Sequence, residues 1–363
     1  MGGKASPLAE ARRPLLAAVV VGFAVTSAIT WTLVRYQPAG LDFAPLWTGA
    51  RVALSDPARL YDFAHVTALQ GWPLGPAKLR PFAYPPTLAL ILAPFAALPF
   101  TAAYALWTAL TGALFLAAGL RARFPWWFVL LAPVSLVAYC GQVTFLVGAL
   151  MLAALTLKAR PWLAGVLWGA AACVKPQLVV FAPLALLAEG RWRSLAGAAA
   201  AGLALAAASA AAFGPEVWLR WPEALPRFHD VVYNDPALKG DAGTPYGVLM
   251  LVGLPGWLAF LTIPALAFLV WKVFRSTDDL AARLVTVAGA AILAGPYALP
   301  YDRALLAPAV AAGVVATLDD RRWLLSVLAA SLYALLVPPA FLGVLAAMVM
   351  PLIARRPPGV ASA

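Results

Sequence analysis

The chain has 363 residues, of which 63% are apolar and 11% charged, with a net charge of +11. A soluble globular domain carries about 45–50% apolar and about 25% charged residues, so an ordinary water-soluble fold is excluded. One bilayer crossing takes about 20 apolar residues, and the composition therefore describes an all-α, polytopic protein forming a single integral membrane domain over residues 1–363.

In chain order, the first apolar run, 14–34, follows Lys4, Arg12 and Arg13. It reads as an uncleaved first helix, although Thr26-Ser27-Ala28 has the small residues of a signal-peptidase site. Eleven further candidate spans follow at 84–98, 101–120, 125–138, 143–157, 162–188, 194–213, 246–271, 280–294, 304–318, 323–337 and 341–353, about 12 segments in all. Several have only 14 or 15 residues, short of a full crossing, and suit re-entrant or tilted elements as well. Cys140 and Cys173 sit in apolar runs without a CxxC or a Cys/His cluster, so the sequence supports neither a disulfide framework nor a zinc site.

Placing both termini in the cytoplasm gathers Arg191, Arg193, Lys272, Arg275, Arg283, Arg321, Arg322, Arg355 and Arg356 on the inner side, as the positive-inside rule requires of short loops. Two longer polar segments then face outward: a first outer loop at 35–83 and a second at 214–245.

Asp42, eight residues past the first span, is held at the outer interface. Two roles suit it. It can cap the helix that begins Phe43-Ala44-Pro45, or it can act as a general base, because a carboxylate against an apolar wall loses solvation and its pKa rises. Ser55-Asp56-Pro57 reads as a second helix start, with Asp56 as cap. The loop closes on Tyr84-Pro85-Pro86, where consecutive prolines force an extended entry and Tyr84 stands at the interface.

Asp42-Phe43 with Trp47, then Ala50-Arg51, Leu60-Tyr61-Asp62, Tyr84-Pro85-Pro86 and Pro94, resembles the opening of the bacterial family 87 glycosyltransferases. Tyr139-Cys140-Gly141-Gln142 and the stretch from Gly165 to Lys175-Pro176 are similar to that family's Gly-Gln motif and lysine-bearing helix. The resemblance runs well from Trp31 to Arg193 and weakly beyond. It implies a GT-C type fold, a polyprenyl-phosphate sugar donor (mannose in the studied members) and transfer at the outer face of a bacterial inner membrane. By the same resemblance, Asp42 is the catalytic base. Members often carry a histidine near 295–303, and this sequence does not.

Lys175 lies deep in run 162–188, about 20 Å from either end of a continuous helix. An ionisable group at that depth faces a cavity or a partner, unless Lys175-Pro176 marks a break between two short helices. Gln142 sits at a Gly-Gln turn where its amide needs a partner. The stretch Gly295-Pro296-Tyr297-Ala298-Leu299-Pro300-Tyr301-Asp302-Arg303 reads either as a Pro-rich turn with a local Asp302/Arg303 pair or as a donor site. In the second case Arg303 contacts phosphate and Tyr297 and Tyr301 contact sugar or lipid.

Because a departing phosphate needs no proton, one carboxylate suffices, and basic groups must neutralise the leaving group instead. The candidates are Arg51, Arg80, Lys175 and Arg303; Tyr84, Gln142 and Asp302 complete the donor side, and Trp47 and His229 are placed on the acceptor side. No cofactor is expected, and no acidic cluster has metal-ligand spacing. The partners implied are the lipid donor, a glycan or lipid acceptor and membrane lipids. Nucleic acid is not among them, since the basic residues flank spans. A transporter or flippase of a lipid-linked or anionic substrate is the alternative reading, and a non-catalytic membrane scaffold a third.

Overall fold

A computed structural model describes residues 38–71, 78–235, 243–318, 322–334 and 341–354, together with Ala28. The first apolar run apart from Ala28, together with Arg321, Arg355 and Arg356, lies outside the described residues. Among the described residues the fold is all-helical, without strands. Among the described residues, three helices are long and apolar enough to cross a bilayer: Phe100–Arg121, Trp192–Phe213 and the continuous helical stretch Gly256–Ser276. The other apolar helices are shorter, at 10–17 residues.

The segment after residue 38 folds into two helices, α1 (Phe43–Ser55) and α2 (Phe63–Ala68), joined by a 3-10 turn over Pro57–Arg59. Next come α3 (Pro86–Ala96), α4 (Phe100–Arg121), α5 (Ala132–Cys140), α6 (Thr144–Thr156), α7 (Pro161–Val174), α8 (Ala182–Ala188) and α9 (Trp192–Phe213). The polar segment 214–245 is mostly a 19-residue helix, α10 (Glu216–Asn234). The chain finishes with α11 (Pro245–Leu251), α12 (Ile263–Ser276), α13 (Leu280–Ala294), α14 (Ala307–Thr317), α15 (Trp323–Ala334) and α16 (Phe341–Ala354).

The helical bundle has two polar ends. At one, Arg283 pairs with Glu189 at 2.9 Å and with Asp278 at 2.7 Å, Lys158 also pairs with Asp278, and Arg191 reaches the carbonyls of Leu157 and Lys158. At the other, Tyr84 and Tyr301 meet Gln142, and Lys175 meets Asp302. Helices α6, α7 and α13 each run from one end to the other.

This arrangement corrects two of the candidate spans. Run 162–188 is not one helix: α7 stops at Val174, Lys175 takes φ −150° and ψ 81°, and a 3-10 turn over Pro176–Val179 leads into α8. The cause is Pro176, which lacks an N–H and drives the preceding residue out of the helical region. The chain reaches Lys175 from the Lys158 end and returns to that end at Glu189.

Run 84–98 is not a passage between the ends. Tyr84 lies beside Gln142, and beyond α3 the ring of Phe100 packs 5.9 Å from that of Phe43. Both ends of α3 therefore lie against the α1 end of the bundle. These two changes together put Arg121, Arg123, Lys158 and Arg160 at the same end as Arg191.

Candidate active site

Asp42 is positioned by the backbone on both sides of it. Gly40 takes φ +76°, a left-handed conformation that costs a glycine little. Its N–H donates to the Tyr139 carbonyl at 2.8 Å, tying the start of α1 to the end of α5. Helix α5 ends on Gly141 at φ +71°, where a Cβ would come within 2.7 Å of the Phe43 Cβ. A side chain at 141 would push α1 away from the Gly-Gln turn, so glycine here lets Gln142 and Cys140 come within hydrogen-bonding reach of the Asp42 carboxylate.

Asp42 occupies the N-cap position of α1, but its side chain makes no capping bond. It accepts from Arg80 Nη1 at 3.1 Å, with both side chains about one-fifth exposed, at 22% and 20%. Burial pushes the Asp42 carboxyl above its ordinary value, and Arg80 first, then Gln142 and Lys175, act against that rise. Arg80 is itself held through its backbone: its N–H donates to Thr67 Oγ1 at 2.9 Å and its carbonyl accepts from Gln70 Nε2 at 2.7 Å. Asp56 makes no capping bond either, and the capping acid of this segment is Asp62, which accepts from the His65 N–H at 3.0 Å.

Gln142 is buried and fully engaged. Its Oε1 accepts from the Tyr84 hydroxyl at 3.0 Å, and its Nε2 donates to the Tyr301 hydroxyl at 2.9 Å. Lys175 is also buried, with Nζ 2.6 Å from Asp302 Oδ1 and 5.3 Å from the centre of the Tyr301 ring. Asp302 also accepts from Thr144 Oγ1 at 3.1 Å and from the Leu299 N–H at 3.3 Å. Burial pushes the phenols of Tyr297 and Tyr301 above their ordinary value, so both keep their protons and can donate.

Beside this cluster lies a cavity of about 280 Å³. Tyr84, Lys175, Tyr297, Tyr301 and Asp302 form its polar wall, and Trp221, Leu225, Phe228 and His229 of α10 close it from the opposite side. His229 Nε2 lies 3.0 Å from the Tyr246 hydroxyl. A mostly apolar cavity with a few convergent polar groups is the usual form of a small-molecule site.

Three expected contacts lie elsewhere. Arg51 is exposed, its guanidinium 4.6 Å over the Trp47 ring. Nine residues of α1 separate it from Asp42, about 14 Å at the helical rise. Trp47 itself donates to the Leu98 carbonyl at 3.1 Å and fixes α1 to the end of α3. Arg303 is buried and turned away from the cavity, with Nη1 3.3 Å from the Tyr333 carbonyl and Nε 3.4 Å from that of Pro300. The Asp302/Arg303 local pair is replaced by the pair of Asp302 with Lys175. Thr144 and Trp221 were not singled out from sequence; Thr144 is two residues past the Gly-Gln turn, on the helical face that meets Asp302, and only that proximity marked it.

The sequence pattern of glycosyltransferase family 87 matches residues 82–299. Tyr84, Gln142, Lys175 and Tyr297 lie inside that range, and Asp42, Arg80, Tyr301 and Asp302 outside it. The polyprenol-phosphate-mannose-dependent alpha-(1-2)-phosphatidylinositol pentamannoside mannosyltransferase of Mycolicibacterium smegmatis is 25% identical over 328 residues, which cover 83% of this chain and 76% of the relative. No solved structure matches the chain. With its apolar helices and a family match over more than half its length, the chain is a membrane protein that belongs to glycosyltransferase family 87.

Proposed function

We propose that the protein moves a sugar, mannose by analogy with the mycobacterial relative, from a polyprenyl-phosphate donor to an acceptor hydroxyl at the outer face of the cytoplasmic membrane, with Asp42 as general base. The observation that carries this reading is the Asp42 carboxylate: it sits at a helix start without capping it, burial raises its proton affinity, and the Arg80 guanidinium lies 3.1 Å from it. In the reaction the acceptor oxygen forms a bond to the anomeric carbon while the bond from that carbon to the phosphate oxygen breaks. Asp42 takes the hydroxyl proton, and the phosphate leaves with the bonding electrons.

Arg80 and Lys175 are the groups placed to neutralise the phosphate. Lys175 can turn from Asp302 toward it, since Asp302 keeps Thr144 and the Leu299 N–H as partners. The apolar wall of Trp221, Leu225 and Phe228 suits the first isoprene units of the donor, and Tyr84, Tyr297, Tyr301 and His229 suit its sugar. Asp302 stays held by Thr144 and the Leu299 N–H, which leaves Asp42 as the base, as a single direct displacement requires. The test is to incubate the purified protein with labelled polyprenyl-phosphate mannose and a mannosylated acceptor. Covalent transfer of label is expected; redistribution of intact donor across a bilayer without transfer would support a transporter instead.

Arg80→Gln gives a pH test. Arg80 opposes the rise in the Asp42 pKa, so its loss lets that pKa climb further and protonates the base at higher pH. The acid limb of the kcat/KM profile should move to higher pH, and donor use should weaken at least tenfold, since a charge-assisted contact is worth about 1.5–3 kcal/mol and each 1.4 kcal/mol is a factor of ten. Arg51→Gln, on the far part of α1, should change neither. An unshifted profile in Arg80→Gln would separate Arg80 from the chemistry.

The same reading sets the sidedness. The end that carries Arg121, Lys158, Arg160, Arg191 and Lys272 is cytoplasmic by the positive-inside rule, and the Asp42 end faces out. Cysteines placed at Asp62 and Arg160, both polar surface positions, report this. The first should react with a membrane-impermeant thiol reagent added to intact cells and the second should not. The opposite pattern would invert the topology.

A further inference from the structure

The Leu60-Tyr61-Asp62 motif takes no part in the chemistry above, yet it reaches the segment that delivers two of the site residues. Residues 80–84 run without helix or strand from Arg80, which meets Asp42, to Tyr84, which meets Gln142. A segment of this kind has no helix or ladder of its own to fix it, so its backbone groups need other partners.

Side chains supply them. At one end the Arg80 N–H donates to Thr67 Oγ1 and the Arg80 carbonyl accepts from Gln70 Nε2. Both side chains are themselves tied down: Thr67 Oγ1 donates to the Phe63 carbonyl at 2.7 Å, and Gln70 Nε2 is shared with the Val66 carbonyl at 3.2 Å. Asp62 caps α2, the helix that carries Thr67 and leads into Gln70. At the other end the hydroxyl of buried Tyr61 donates to the Tyr84 carbonyl at 2.8 Å. Midway, Phe82 is fully buried against α1, where a Cβ at Gly49 would run into its ring. Neighbouring residues of one motif thus act on opposite ends of the segment.

Arg80 depends on this support. Its Nε is buried without a hydrogen-bond partner, so the guanidinium is oriented by its contact with Asp42 and by where the backbone places it. Tyr84 depends on it similarly, because its hydroxyl reaches Gln142 while its ring lines the cavity beside Lys175.

We propose that Thr67, Gln70 and Tyr61 are positioning residues of the transfer reaction: Thr67 and Gln70 fix Arg80 against Asp42, and Tyr61 fixes Tyr84 in the wall of the donor cavity. The proposal rests on the glycosyltransferase reading above. Its two ends are separable, which a merely structural role is not.

Asp42 is faced by Arg80, Gln142, Lys175 and Cys140, with the phenols of Tyr84 and Tyr301 nearby. Thr67 and Gln70 hold only Arg80 among these. A loosened Arg80 opposes protonation of Asp42 less, so the carboxyl keeps its proton to higher pH. An apolar carbodiimide modifies a carboxyl in its protonated form, and the pH dependence of Asp42 modification, followed by mass spectrometry on the solubilised full-length protein, reads this without substrate. In Thr67→Val and in Gln70→Met the midpoint should move up, in the direction of Arg80→Gln and by less. Thr67→Ser keeps the hydroxyl and should restore the wild-type midpoint. Tyr61→Phe should leave the midpoint in place and raise the donor KM several-fold at unchanged kcat. A structural role alone would lower Tm and the active fraction while moving neither midpoint nor KM. An unmoved midpoint in Thr67→Val or Gln70→Met, or an unchanged donor KM in Tyr61→Phe, overturns the proposal. Failure of the underlying reading is separate: it appears as absence of covalent transfer by the wild-type protein, whereas the carbodiimide midpoints are read with no donor present.

Discussion

Replacing Asp42 by Asn is expected to lower turnover by about 10² to 10⁴ while leaving expression and thermal stability near wild type. The stability half of the prediction follows from what the carboxylate does not do. It makes no capping bond to α1, and its residue has φ −85° and ψ −14°, so no backbone N–H loses a partner when the charge goes. An amide oxygen still accepts from Arg80, and replacing a carboxylate whose charged form is disfavoured by burial removes a desolvation cost. The activity half follows from chemistry, because an amide does not accept the proton of an attacking hydroxyl. Glu should recover little, since one more methylene displaces the carboxylate by about 1 Å, enough to misplace it for transfer. Turnover of Asp42→Asn within a few-fold of wild type, measured on protein with an unchanged melting profile, would remove Asp42 from the mechanism.

The second large effect belongs to Lys175 and Asp302, where structural and functional roles come apart only in combination. Lys175→Met strands a buried carboxylate and Asp302→Leu strands a buried ammonium, and breaking one side of a buried pair costs about 3–5 kcal/mol. Both single variants should therefore melt well below wild type. The double variant Lys175→Met/Asp302→Leu leaves neither charge behind and should recover most of the lost stability, because apolar replacement of a whole buried pair is often neutral. If Lys175 neutralises the departing phosphate, the recovered double variant stays impaired in donor use by at least tenfold. A double variant that regains both stability and donor kinetics would reduce the pair to a structural device.

The site residues that stood out in the sequence are polar groups in apolar surroundings. Gln142, Lys175 and Asp302 are buried, and the structure brings them into one network through Tyr301 and the Lys175–Asp302 pair. What the sequence hid was direction. Asp302 and Arg303 are adjacent, but they lie on a 3-10 turn, Pro300–Leu306, where successive side chains point about 120° apart. One turns to Lys175 and the other to Tyr333, and nothing in the composition of the stretch distinguishes them. Asp42 illustrates the reverse difficulty, since its position before Phe43-Ala44-Pro45 suits a cap, and only the geometry separates position from bonding.

The fold was less legible than the site. Lys175-Pro176 carries the signal for a helix break, but apolar runs on both sides read equally well as one span. The return of α3 toward α1 leaves no local mark, because it depends on Phe100 and Trp47 meeting partners far along the chain. In 214–245 the charged and aromatic residues alternate at helical spacing, and reading that segment as a loop overlooked the period that separates the two faces of α10.

The measurement that bears most directly on the central claim is the anomeric configuration of the product formed from a β-linked polyprenyl-phosphate mannose, read by nuclear magnetic resonance on the isolated glycan. Direct displacement with Asp42 as the one available carboxylate predicts a new α-linkage. A β-linked product would mean net retention at the anomeric carbon, and it would contradict the single-displacement mechanism with Asp42 as base.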